Sequence, residues 1–109
     1  MLVEDSQEGG IKYEKMYGPN NSFSLSKVKL TQAHRIPYHY HERTETVYFI
    51  IDGEGTMIVD GKEVDVRGGQ MFVIPPKIPH TIFAKEKRTV DFYCKECPPD
   101  DDDFHPQNL

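Results

Sequence analysis

Four side chains in this sequence have the types and spacing to hold a metal ion. His39 and His41 stand two apart in IPYHYHERTE, a segment that should be extended, so both imidazoles leave one face of the chain. Glu45 follows after Glu42, Arg43 and Thr44, and His80 closes the later stretch GGQMFVIPPKIPH. Three neutral nitrogens and one carboxylate suit a single divalent transition metal: iron, manganese, nickel, cobalt, copper or zinc. They suit calcium and magnesium poorly, because those ions want oxygen donors. Four protein ligands on a six-coordinate ion leave two neighbouring positions open. Such a centre could chelate a small molecule through two oxygens, bind dioxygen beside it, or acidify a bound water. With neutral histidines the site carries about +1, which favours an anionic or oxygen-rich partner such as an enediol, a carboxylate or a hydroxyketone. The competing reading is a metal-free polar pocket whose histidines are satisfied by neighbours, although leaving buried polar groups unpaired is costly.

The elements that must position these groups are short strands. Ser22 to Leu30 is a half-buried run in which alternation slips between Leu25 and Val28, where a bulge is expected. Ile11, Tyr13 and Met16 mark a pairing segment between the turn signals Gly9-Gly10 and Gly18-Pro19. Val47 to Ile51 is strongly β-prone; Asp52 to Gly55 should then turn the chain before a further strand, Thr56 to Val59. Asp60-Gly61 is a strong hairpin signal, returning through Glu63 to Val66, and Met71 to Ile74 follows Gly68-Gly69. Pro75 to Pro79 cannot join a central ladder and must be a stiff loop delivering His80 into Thr81 to Ala84. Thr89 to Cys94 is the last strand, and the tail CPPDDDDFHPQNL should be irregular. Eight or nine short strands with no helical period indicate an all-β sandwich or small barrel.

Length and charge bound the rest. The 109 residues make one domain, and a net charge of -5 argues against nucleic acid or an anionic membrane as partner. No apolar run is long enough to span a bilayer and no basic leader precedes one, so a cytoplasmic location is expected. Cys94 and Cys97 read as reduced thiols; a half zinc site completed by a second subunit is the alternative.

The residues at this point resemble the cupin superfamily, whose first motif has the form G-x5-H-x-H-x3,4-E-x6-G. His39, His41 and Glu45 match it, Gly53 falls one place late, and Ala33 replaces the leading glycine. The second motif, G-x5-P-x-G-x2-H-x3-N, is met at Gly69, Pro75 and His80, with Lys77 at the inner glycine and Ala84 at the final asparagine. The resemblance covers residues 22–97 and implies a double-stranded β-helix, or jelly-roll barrel, of the small single-domain kind. It leaves residues 1–21 as an N-terminal segment and 98–109 as an acidic tail that folds back on the barrel. It also implies a metal held by His39, His41, Glu45 and His80.

Alternation places Val47, Phe49 and Ile51 on the face of Glu45, and Ile82 and Ala84 on that of His80, giving an apolar pocket lining. The same parity puts Tyr40 and Tyr48 opposite the ligands. Outward Tyr48, Ile50, and Phe72 or its neighbours would then call for cover by a second copy, so a two-fold homodimer is expected. His34 and His105 fit no motif and read as surface residues, and Asp100 to Asp103 as a solvated run or a tail docked by Pro99 and Phe104. Two functions fit: a metal-dependent enzyme on a small oxygenated molecule (a dioxygenase, or an isomerase or lyase of a sugar or keto acid), or a non-catalytic module that binds or senses such a molecule. No acid–base pair stands out beyond the ligands, and a β-barrel of this kind hosts many chemistries.

Overall fold

Glu45–Val59 forms one fifteen-residue strand, β5, on which the fold is assembled. The computed structural model describes residues 3–8, 11–32 and 34–109; the Gly9-Gly10 turn signal and Ala33 lie outside them. The first half of β5 pairs antiparallel with β7 (Met71–Ile74) and β9 (Thr89–Cys97). Its second half pairs with β6 (Lys62–Arg67) and β8 (His80–Ala84). Beyond β9 lie β3 (Ser24–Thr31), β2 (Ile11–Tyr17) and β1 (Val3–Glu8); beyond β8 lie β4 (His39–Tyr40) and β10 (His105–Pro106). A 3-10 turn at Pro19–Asn21 joins β2 to β3. The result is the all-β jelly-roll barrel expected.

The turn anticipated at Asp52 to Gly55 is absent: the strand continues through it. A register irregularity between Ile50 and Asp52 bends β5 and hands it from one set of partners to the other. The glycines serve close approach here rather than reversal. A Cβ on Gly53, whose φ is +91°, would stand 2.1 Å from the Thr89 carbonyl oxygen, and one on Gly55 2.7 Å from that of Phe83. The reversal comes at Asp60-Gly61, both with positive φ, as that dipeptide predicts.

The bulge expected in β3 is also absent. Its pairing with both β2 and β9 is continuous, and Ser24, Val28 and Leu30 are buried while Leu25 lies on the other face. The apolar alternation slips in the sequence because a serine, not an aliphatic residue, occupies the buried position at the strand's start. The interior is filled by Val28, Leu30, Tyr48, Ile50, Met57, Val66, Ile74, Ile82, Ala84, Val90 and Phe92. Each large member contributes on the order of 1.5–3 kcal/mol by leaving water.

Parity in β5 is opposite to that expected. Thr46, Tyr48 and Ile50 point inward, so Phe49 and Ile51 stand outside, 44% and 38% exposed, and Val47 is half-buried on that same side. Phe72 packs partly against the core. The apolar outer face therefore consists of Phe49, Met71, Val73 and Tyr93, drawn from three adjacent strands: on β5 it is not Tyr48 and Ile50, and on β7 it is the neighbours of Phe72.

Candidate metal centre

β4 and β8 bring the three histidines together. His39 and His80 are direct partners across that ladder, and His41 follows one alternation on from His39. All three are buried, and one ring nitrogen of each lies within 4.8 Å of the others. The loop before β8 is held to the site by Lys77, whose N–H donates to the His41 carbonyl at 2.6 Å. Lys77 has φ +74°, the left-handed backbone for which the cupin motif places glycine there.

The orientation of each ring is fixed from behind. Nδ1 of His39 faces the Pro37 carbonyl at 2.7 Å, Nδ1 of His41 that of Asp103 at 2.5 Å, and Nδ1 of His80 that of Ile78 at 2.9 Å. A carbonyl only accepts, so each Nδ1 carries the proton, and in the neutral ring it is Nε2 that presents the lone pair. Nε2 of His80 is buried with no hydrogen-bond partner, an orphan that a bound ion would satisfy. The electrostatics agree. Burial, helped by the charges of His80 and His41 and opposed by the Pro37 carbonyl, lowers the His39 pKa to about 4. Burial also lowers that of His80, against the pull of Ile78. Neutral imidazoles with locked tautomers are the state a metal requires, so the residues present fit the ion that the fold implies.

The acidic tail supplies part of this scaffold, with β10 pairing to β4 instead of remaining irregular. Asp103 is buried, and its carboxylate accepts from the backbone N–H groups of Glu42, Arg43 and Thr44 at 2.8, 2.9 and 3.3 Å. Burial opposes its charge, but those three donors and His105 outweigh it and hold the carboxyl far below the usual range. His105 is half-buried, 3.1 Å from Asp103 and stacked on Tyr40, so it is not the free surface residue expected; His34 is likewise half-buried. Arg43 pairs with Asp100, and Phe104 stacks on His39 with ring centroids 4.2 Å apart.

Glu45 does not join the histidines. Its side chain is exposed, because the loop Glu42–Thr44 curls around Asp103 and does not carry the parity of His41 into β5. Seven positions before Gly53, where the motif sets its acid, the inward position belongs to Thr46. Val47, Phe49 and Ile51 leave the pocket with Glu45, and Tyr48 takes their place, its ring 5.9 Å from His80. Ile82 and Ala84 lie in the core on the face of His80. The carboxylate that approaches the cluster is Glu96 of β9, with Oε2 at 3.6 Å from His41 Nε2. Its inward alternation with Phe92 and Cys94 was available in the sequence, but nothing local linked it to the histidines. Cys94 is half-buried and Cys97 exposed; both are free thiols, and burial pushes the Cys94 thiol up.

A family model described as the cupin domain matches residues 27–94. The chain belongs to the cupin family. The uncharacterized protein MJ1618 of Methanocaldococcus jannaschii is 30% identical over 76 residues, covering 70% of this chain and 61% of that protein. A 3-hydroxyanthranilate 3,4-dioxygenase of Xanthomonas campestris is 39% identical over 51 residues, 43% of this chain and 28% of the enzyme. The chain thus spans about three fifths of the first relative and little more than a quarter of the second. Among solved structures, the polyketide cyclase RemF of Streptomyces resistomycificus superposes with a TM-score of 0.80 at 19% identity, covering 98% of this chain and 81% of that one. That likeness is one of fold. No helix among the described residues is long and apolar enough to cross a membrane.

Proposed function

We propose that this cupin is a metal-dependent enzyme acting on a small oxygen-rich or anionic molecule, either by dioxygenation or by isomerisation or elimination on a sugar or keto acid. The observation that carries this reading is the convergence of three histidines whose Nδ1 protons are tied to the Pro37, Asp103 and Ile78 carbonyls. When bound there, a divalent transition metal would supply Lewis acidity and a place for two oxygens of a substrate. The chain's own residues do the rest. His39, His41 and His80 orient the lone pairs, Phe104 shields the His39 face, and Tyr48 and Ile82 keep the floor apolar. Such a lining excludes water and strengthens the electrostatics of whatever binds. The short match to a dioxygenase supports the oxidative branch.

The test is elemental analysis of purified protein followed by oxygen uptake with catechols, thiols and enediols. Iron with substrate-dependent uptake is the expected result for the dioxygenase. Zinc or nickel without uptake moves the activity to isomerisation or elimination. Tight binding of such a molecule with no turnover would replace the enzyme by a binding or sensing module.

The working unit is a homodimer, supported by the apolar sheet face of Phe49, Met71, Val73 and Tyr93 and by the free edge of β7 beside it. Free Cys94 and Cys97 fit a reducing, cytoplasmic compartment.

A further inference from the structure

Three polar residues form a row across adjacent strands inside the barrel. Ser24 of β3 is the partner of Glu96 in β9, and Glu96 is in turn the partner of Thr46 in β5. Ser24 and Thr46 are buried, and neither Oγ of Ser24 nor Oγ1 of Thr46 has a hydrogen-bond partner. Between them Glu96 reaches Oε2 to 3.6 Å from His41 Nε2, with its side chain about a quarter exposed at 26%. A buried polar row in a β-barrel is costly unless something engages it.

Thr46 stands at the motif position that would bear the acid, and a neutral hydroxyl there cannot offset the charge of a divalent ion. We infer that Glu96 has taken over this role from across the sheet and supplies the carboxylate donor of the metal centre. The inference rests on the metal-centre reading above and deepens it. Bonds of about 2.0–2.2 Å to nitrogen and oxygen put neighbouring donors of one ion about 3–3.5 Å apart. The observed 3.6 Å between Glu96 and His41 is close to that edge, and a rotation of the Glu96 side chain must carry its oxygen toward His39 and His80, outside whose 4.8 Å group it now lies. The donor set becomes His39, His41, His80 and Glu96, so the charge balance of three imidazoles and one acid is kept while the acid changes strand. The hydroxyls of Ser24 and Thr46, both without a partner, lie at the register positions on either side of Glu96, free to donate to an oxygen of a bound small molecule.

The experiment is competitive zinc titration of metal-free wild type, Glu96→Gln and Glu45→Gln at neutral pH. Wild type is expected to bind one zinc ion, Glu45→Gln to match it, and Glu96→Gln to bind at least about tenfold more weakly, the least seen even for outer-sphere partners. Equal affinity of Glu96→Gln and wild type, or a loss confined to Glu45→Gln, overturns the assignment and leaves the histidine centre standing. No zinc uptake by wild type overturns both. A readout independent of any variant is carboxyl carbon NMR of the wild type. The Glu96 resonance should move on zinc addition while that of Glu45 stays, and a stationary Glu96 signal contradicts the proposal.

Discussion

His41 is held from the far end of the chain: its Nδ1 donates to the carbonyl of Asp103 at 2.5 Å. The carboxylate of the same residue caps three backbone N–H groups in the loop that follows His41. Asp103→Ala should therefore strip a buried, charge-assisted network and cost about 2–4 kcal/mol in urea denaturation, with a wild-type slope. A loss below about 0.5 kcal/mol, the usual scale of a surface substitution, would show that the tail is an ornament.

Acid should act on the metal-free protein in two stages. His39 has a folded pKa lowered to about 4, against an unfolded value of about 6.5, so the unfolded chain binds more protons between these limits. Its contribution is complete above pH ~6.5 and is lost as pH falls toward 4. Asp103, held below the carboxylate range, adds a second loss beneath pH ~4 as its carboxyl is protonated. Urea midpoints measured from pH 7.5 to 3 should hold above pH ~6.5 and fall below it. A flat profile between pH 7 and 4.5 would mean that the histidines are not buried neutral.

Lys77 tests the loop. Its φ of +74° is strained for a side chain with a Cβ, and its N–H must keep reaching the His41 carbonyl. Lys77→Gly relieves the strain, raises the unfolded-state entropy as an opposing cost, and should stabilise by about 0.5–1 kcal/mol, raising Tm by a few degrees. A lower Tm would place the strain elsewhere.

The histidine cluster was legible because its signals are local. An H-x-H pair in extended chain shares a face whatever surrounds it, and a proline-rich loop must deliver His80 as a strand begins. The acid was not. Parity can be counted along β5 only from a residue known to face inward, and the loop at Glu42–Thr44 breaks the count because Asp103 folds it. Glu45 therefore passed for a ligand, while Glu96 owes its place to register between β9 and β5, which no local pattern encodes. The passage of β5 through Asp52 to Gly55 is hidden for a related reason: glycines needed for close approach and glycines needed for turning look alike in a sequence.

The outer face offers a further check. Phe49 and Met71 are register partners, 44% and 63% exposed, beside Val73 and Tyr93. Sedimentation should find a dimer at micromolar concentration, and Phe49→Glu should shift it to monomer by setting a charge in the apolar contact. A wild-type monomer at that concentration would contradict the assembly.

The measurement that bears most directly on the account is the metal content of reconstituted wild type beside His41→Ala, with the β-sheet circular dichroism of each. One equivalent of divalent transition metal in the wild type, most of it lost in His41→Ala with the β signature intact, is the predicted result. Equal metal in both proteins, or none in the wild type, would contradict it.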